Sequence, residues 1–224
     1  LYPRDYIEQI IQLSPNVVIN CLGVIKSHLP INSENFFAVN SFFPNHLNQL
    51  SKTYQFKLIQ ISTDCVFSGL KGSYNENDIP DPVDIYGLSK YYGEINNNNN
   101  LTIRTSFISD MNDDNLQLFR WFMLQKDKCY GYKNAIYSGL TTLHLCEILS
   151  KILKLHNSLY GLYHISSEKI SKYDLLRLIA KIYKKDIEII PDYKIKIDRS
   201  LDSTKLKKET NIKIESWHEM ILNM

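Results

Sequence analysis

The sequence predicts a doubly wound α/β fold built on a parallel sheet. Three observations carry that expectation. Apolar runs of strand length alternate with segments of helical periodicity. The runs VVINCLGV (17–24) and KLIQIS (57–62) are continuously apolar or nearly so, as strands covered on both faces of a parallel sheet are. The joints between segments are short, which implies right-handed crossovers between successive strands.

The elements follow in order. Residues 7–13 read as the end of a helix, broken by Ser14-Pro15-Asn16 before the first strand at 17–24. A long helical pattern occupies 32–54, with Phe36, Phe37, Val39, Leu47 and Leu50 as core candidates. Pro44 has no N–H to donate and predicts a kink or break in it. The second strand is 57–62 and the third is LTIRTS at 101–106, with a helix at 84–95 between them. The five asparagines at 96–100 read as a biased turn and nothing more. From residue 115 the pattern changes. Helices are expected at 116–126, 142–155, 171–184 and near the C-terminus, and short strands at 162–165 and 187–190. This part reads as a small C-terminal lobe, drawn mainly from 115–224 and interleaved with the last elements of the sheet.

Composition excludes several function classes. The 224 residues are 44% hydrophobic and 22% charged, with a net charge of +2, so charge alone gives no case for a nucleic-acid partner. No apolar run is long enough to span a bilayer, so no membrane partner is expected. Cys21, Cys65, Cys129 and Cys146 form no C-x-x-C pair and read as free thiols of a reducing cytoplasm. His46, His144, His156 and His164 show no H-E-x-x-H spacing, and no metal is predicted. Lys181, Lys184 and Lys185 read as a solvated helix face.

The chemistry concentrates in ISTDCVFSGLKGSYNENDIPDPVDIYGLSK, residues 61–90. Ligands in open α/β sheets bind beyond the carboxyl ends of the strands. Ser62-Thr63-Asp64 ends one strand there, and 20–23 ends the one before it. Tyr86 and Lys90, four apart, share one helix face. Carbonyl reduction wants these types together. A phenol has a pKa near ~10, and a nearby ammonium brings it toward neutrality. Tyr86 then donates a proton to a carbonyl oxygen as hydride reaches its carbon, with Thr63 holding that oxygen. The hydride must come from a cofactor.

These residues resemble the extended short-chain dehydrogenase/reductase superfamily, and within it the dTDP-4-dehydrorhamnose reductase family. STDCVFSG, YNENDIP and YGLSKYYGE carry the likeness. It continues in NCLGVIK, Asn40, IRTSFI, YSGLTTLHL, GLYHISS and DRSLDSTKL, nearly the whole chain. The resemblance implies a Rossmann-type, NAD(P)-binding domain with a C-terminal substrate lobe. The implied activity is reduction of a 4-keto-6-deoxy nucleotide sugar, in nucleotide-sugar and surface-polysaccharide biosynthesis. It implies Thr63, Tyr86 and Lys90 as catalytic residues, and Cys21, Leu22, Gly23 and Ile61, with Tyr86 and Lys90, beside an NADP or NAD cofactor. Thr63, Asp64 and Phe107 match positions beside the sugar, Phe107 standing where the family has a tryptophan. Asn40 matches a helix position that supports the active-site lysine, or else serves as a kink or cap. Arg199 either faces the nucleotide or is an exposed loop residue. A homodimer is compatible with the resemblance.

Two other readings share the scaffold: a nucleotide-sugar epimerase or dehydratase, which recycles its cofactor, and a non-catalytic subunit like the regulatory one of methionine adenosyltransferase. Cys65 after Asp64 disfavours a dehydratase, which has Asp-Glu after its threonine. No G-x-G-x-x-G or G-x-x-G-x-x-G occurs in the sequence, and VVINCLGV resembles the fourth strand of the family pattern. The expectation is therefore a fragment of a longer protein, favoured over a decayed copy because the catalytic residues are intact. It also makes 17–24 an apolar sheet edge.

Overall fold

The computed structural model describes residues 4–25, 33–110 and 117–224. In chain order the elements are α1 (Arg4–Gln12), β1 (Val17–Asn20), α2 (Ser33–Phe37), a π-helical turn (Ala38–Phe42), α3 (Phe43–Tyr54), β2 (Lys57–Thr63), a 3-10 turn (Asp64–Val66), α4 (Ile85–Tyr92), β3 (Leu101–Thr105), β4 (Phe107–Ile108), α5 (Leu118–Leu124), β5 (Lys128–Tyr137), β6 (Leu140–Thr141), α6 (Thr142–Leu155), β7 (Gly161–His164), β8 (Ile170–Ser171), α7 (Lys172–Ile182), β9 (Glu188–Asp198), α8 (Thr204–Thr210) and α9 (Trp217–Leu222). They form two compact units. One comprises Leu1–Phe67, Ile79–Arg104 and Ser158–Tyr163, the other Ser68–Asp78, Thr105–Asn157 and His164–Met224. The predicted helix starts at residues 32 and 116, and the predicted lobe boundary at 115, lie outside the described residues.

The first unit is built on a sheet of order β1-β2-β3-β7, in which β1 and β2 run parallel from Val17 opposite Lys57 to Asn20 opposite Gln60. All of β3, and all of β2 after Lys57, is buried. β1 differs from expectation. It ends at Asn20, and Ile19 is 38% exposed, because β2 is its one neighbour among the described residues. Phe43, Leu47, Phe56, Leu58 and Ile95 make the core beneath α3, with Val18 and Leu50 packed against it. Phe36 is buried, whereas Phe37 and Val39 are half-buried.

The irregularity expected at Pro44 falls before it. Proline cannot donate to the turn below, and Phe43 N–H reaches back to the Ala38 carbonyl in the wider π spacing. Pro44 then sits in the first turn of α3, where a missing N–H costs nothing. The asparagine run is also more than a turn. Asn100 is fully buried; its Oδ1 accepts from Leu58 N (2.7 Å) and its Nδ2 donates to Asn48 Oδ1 (2.8 Å) and Ser51 Oγ (3.1 Å). It binds the entry of β2 to α3.

In the second unit a sheet of order β8-β5-β9 carries α7 on β5, and β4 pairs in parallel with β6. Gly131 permits that packing: a Cβ there would lie 2.8 Å from Tyr173 Cα. Lys185 is not on a solvated face. Its Nζ donates to the Met123 (3.0 Å) and Gln125 (2.8 Å) carbonyls and caps the C-terminal end of α5.

Candidate active site

α4 presents the two residues singled out by their spacing, and its position is set by contacts at both ends. Asp84 caps its N-terminus, the side chain accepting from Gly87 N at 2.9 Å. Gly87 lies so close to β2's end that a Cβ there would fall 2.1 Å from the Cys65 carbonyl oxygen. Gly93, at the other end, would place a Cβ 1.8 Å from the Asn40 carbonyl oxygen. Glycines thus let α4 seat between the 3-10 turn after β2 and the π turn before α3.

The π turn turns Asn40 inward, where it is 1% exposed. Its Oδ1 accepts from Val24 N (2.9 Å), and its Nδ2 donates to Val24 O and to Ser89 Oγ (both 3.0 Å). Ser41 Oγ donates to the Ser89 carbonyl (2.6 Å), and Ser89 Oγ to the Tyr86 carbonyl (2.9 Å). One amide therefore ties the segment after β1 to the helix bearing Tyr86 and Lys90. Asn40 thus lies in the helix irregularity and bonds to Ser89, the residue before Lys90.

Thr63 and Asp64 are each 7% exposed at the end of β2. Thr63 Oγ1 accepts from Cys65 N (3.2 Å), donates to Asp64 Oδ1 (3.2 Å) and shares a hydrogen bond with the Tyr86 side chain. Lys90 is 6% exposed, and its Nζ donates to the Ile61 carbonyl at 2.6 Å. Cys21, Leu22 and Gly23 are exposed at the carboxyl end of β1. The space a side chain at 23 would take is bounded by Asn40 Oδ1 (3.6 Å) and Lys90 Nζ (3.9 Å). The Lys90 ammonium therefore borders the space beside Gly23, next to three exposed residues at the carboxyl end of β1.

Burial pushes the Tyr86 phenol up from its ordinary value; Cys65, Asp64 and Asp84 add to this, and the Thr63 hydrogen bond pulls the other way. Burial lowers Lys90 to about 8, with Glu94 and Cys21 opposing. The sequence suggested a phenol drawn toward neutrality by the lysine. The structure differs: burial and the neighbouring Cys65, Asp64 and Asp84 push the phenol the other way.

A family model, the RmlD substrate binding domain, matches residues 4–224. The chain belongs to this family. The RmlD-like chain is 28% identical to the dTDP-4-dehydrorhamnose reductase of Aggregatibacter actinomycetemcomitans over 253 residues, covering 99% of the chain and 84% of that protein. The crystal structure of dTDP-4-dehydrorhamnose reductase from Bacillus anthracis str. Ames, in complex with NADP, shares its fold with a TM-score of 0.85 at 22% identity, over 98% of this chain and 83% of that one. Likeness to methionine adenosyltransferase 2 subunit beta of Danio rerio is local, 57% identical over 37 residues that cover 16% of this chain and 12% of that protein.

Of the residues expected at the site, Ile61, Thr63, Asp64, Tyr86, Lys90 and Gly23 come together in the first unit. Phe107, 46% exposed on β4, and Arg199 belong to the second. Sequence reasoning missed Ser41, Ser89 and a buried network of Glu94, Arg104 and Ser62. Arg104 in the middle of a strand that is otherwise uncharged was the available signal for the network.

Proposed function

We propose that this RmlD-like protein is an NAD(P)H-dependent reductase of a 4-keto-6-deoxy nucleotide sugar, with Thr63, Tyr86 and Lys90 as its catalytic residues. One observation carries the reading: the Tyr86 phenol is hydrogen-bonded to Thr63 at the end of β2 and stands one helical turn from Lys90, which is buried and held by the Ile61 carbonyl. The reductase of Aggregatibacter actinomycetemcomitans, similar over 99% of the chain, supports the substrate class.

Bound in this site, a reduced nicotinamide supplies hydride to the substrate carbonyl carbon. Lys90 and residues Cys21, Leu22 and Gly23 would hold its ribose and ring. Thr63 orients the carbonyl oxygen toward Tyr86. Tyr86 delivers its proton to that oxygen as negative charge develops there, and Lys90 stabilises the phenolate that remains. The Thr63 proton, given to Asp64 in this structure, turns to the carbonyl oxygen when substrate binds. NADP is the first cofactor to test, since the Bacillus anthracis reductase was solved with it. A cytoplasmic location, in keeping with four cysteines outside any disulfide, and a homodimer complete the reading.

The epimerase reading is distinguished by cofactor balance, and the regulatory-subunit reading rests on a local likeness only. The test is oxidation of NADPH by the full-length protein with dTDP-4-keto-6-deoxy sugars. Stoichiometric oxidation with formation of the alcohol is expected; product formation without net oxidation, or no turnover with either cofactor, counts against the proposal.

A further inference from the structure

Glu94 follows the C-terminal glycine of α4, one helical turn beyond Lys90. Its carboxylate is buried and held from two sides. Arg104 on β3 binds it in a fork, Nε to Oε1 at 2.8 Å and Nη2 to Oε2 at 2.7 Å, the two side chains being 3% and 8% exposed. Ser62 Oγ donates to Oε1 at 2.6 Å. The Arg104 guanidinium lies 5.0 Å from the Phe67 ring centroid, so the fork is fixed by stacking as well. Ser62 stands between Ile61, whose carbonyl accepts from Lys90, and Thr63. The carboxylate and the Lys90 ammonium therefore grip adjacent residues of β2, Lys90 from α4 and Glu94 from just past its C-cap.

A buried ion pair adds little net stability, because desolvation offsets most of its Coulomb energy. Stability alone gives weak reason for charges at 94 and 104. The groups around Lys90 give a better one. Cys21 and the Gly23 backbone face it from the segment after β1, neutral Asn40 from the π turn, the Ile61 carbonyl from β2, Tyr86 from its own helix and Glu94 from just past that helix's C-cap; Arg104 acts through Glu94. Glu94 and the Cys21 thiol are the groups that favour the ammonium against burial. We infer that Glu94, clamped by Arg104 and Ser62, is a positioning residue that supplies the counter-charge of Lys90 and seats it on the end of β2. It touches neither substrate nor cofactor in this assignment, which rests on the proposed reductase reading for its consequence in catalysis.

The test is Glu94→Gln in the full-length protein, read by the 13Cε NMR titration of Lys90, assigned with Lys90→Arg. Removing the negative charge disfavours the ammonium, so the Lys90 midpoint is expected to fall by about one pH unit from about 8. The kcat loss follows the same titration, about fivefold at pH 8 and near zero at pH 6. A purely structural role would lower kcat equally at both. Glu94→Asp keeps the charge and is expected to keep the midpoint. Should Glu94→Gln not fold, Glu94→Gln/Arg104→Met is read instead, with a smaller fall in the midpoint expected because the opposing Arg104 charge is lost as well. An unmoved Lys90 midpoint in the folded variant, or a loss independent of pH, overturns the assignment. The titration needs no substrate, so a wild-type protein that reduces no keto sugar refutes the functional reading separately.

Discussion

Gly87→Ala places a methyl group where α4 meets the end of β2. The new Cβ would lie 2.1 Å from the Cys65 carbonyl oxygen, and Cβ atoms do not approach nearer than 3.0 Å, so the gap must open by about 0.9 Å. Pro82 Cβ, 3.0 Å from the same point, blocks a sideways shift. Gly87 is not in a left-handed conformation, so the cost is steric rather than one of backbone strain. Overpacking of this kind costs about 1–3 kcal/mol, a fall in Tm of roughly 2–12 °C for a chain of this size. The helix carries Tyr86, one residue away, so its retreat draws the phenol from Thr63. A misplacement near 1 Å is expected to lower kcat by about 100-fold. Thermal unfolding and steady-state kinetics on the same preparation measure both effects. A Gly87→Ala protein with unchanged Tm and kcat would refute the contact on which the placement of Tyr86 depends.

Tyr86→Phe removes the proton donor without altering packing; kcat is expected to fall about 10²–10⁴-fold with Tm nearly unchanged, and a smaller loss would assign the proton elsewhere. Lys90 is an ammonium below its value of about 8 and neutral above it, so activity is expected to decline as pH rises through 8. Lys90→Arg, whose guanidinium does not titrate there, moves that limb upward in the pH–rate profile. Asn100→Ala takes from the buried Leu58 N–H its acceptor and should cost about 1–3 kcal/mol in denaturant unfolding while leaving kcat intact at low temperature.

The elements with strong local signals were legible in the sequence. β2, β3 and α6 have apolar patterns that match their environments, and Asp84 and Ser171 cap the helices they precede. β5 was not legible. KCYGYKNAIY contains a glycine, an asparagine and two lysines, and it leaves Tyr130 and Tyr132 exposed, so no clear alternation marks it. β9 runs eleven residues where four were expected, because pairing with β5 extends it through a charged stretch. At the site, spacing and residue type named Thr63, Tyr86 and Lys90. The partners of Asn40 and Glu94 lie 10 to 49 residues away, and such pairings arise only when α4 is brought between the π turn and β2. Asn100 was hidden among identical neighbours, since composition does not say which asparagine turns inward.

The most direct test of the account follows the hydride. The full-length protein is given a dTDP-4-keto-6-deoxy sugar and NADPH deuterated at the transferring position of the nicotinamide, and the product is read by mass spectrometry and NMR. One deuterium at carbon 4 per NADPH oxidised, lost together with turnover in Tyr86→Phe, is the predicted result. A product without deuterium at carbon 4, or turnover that survives Tyr86→Phe, would contradict it.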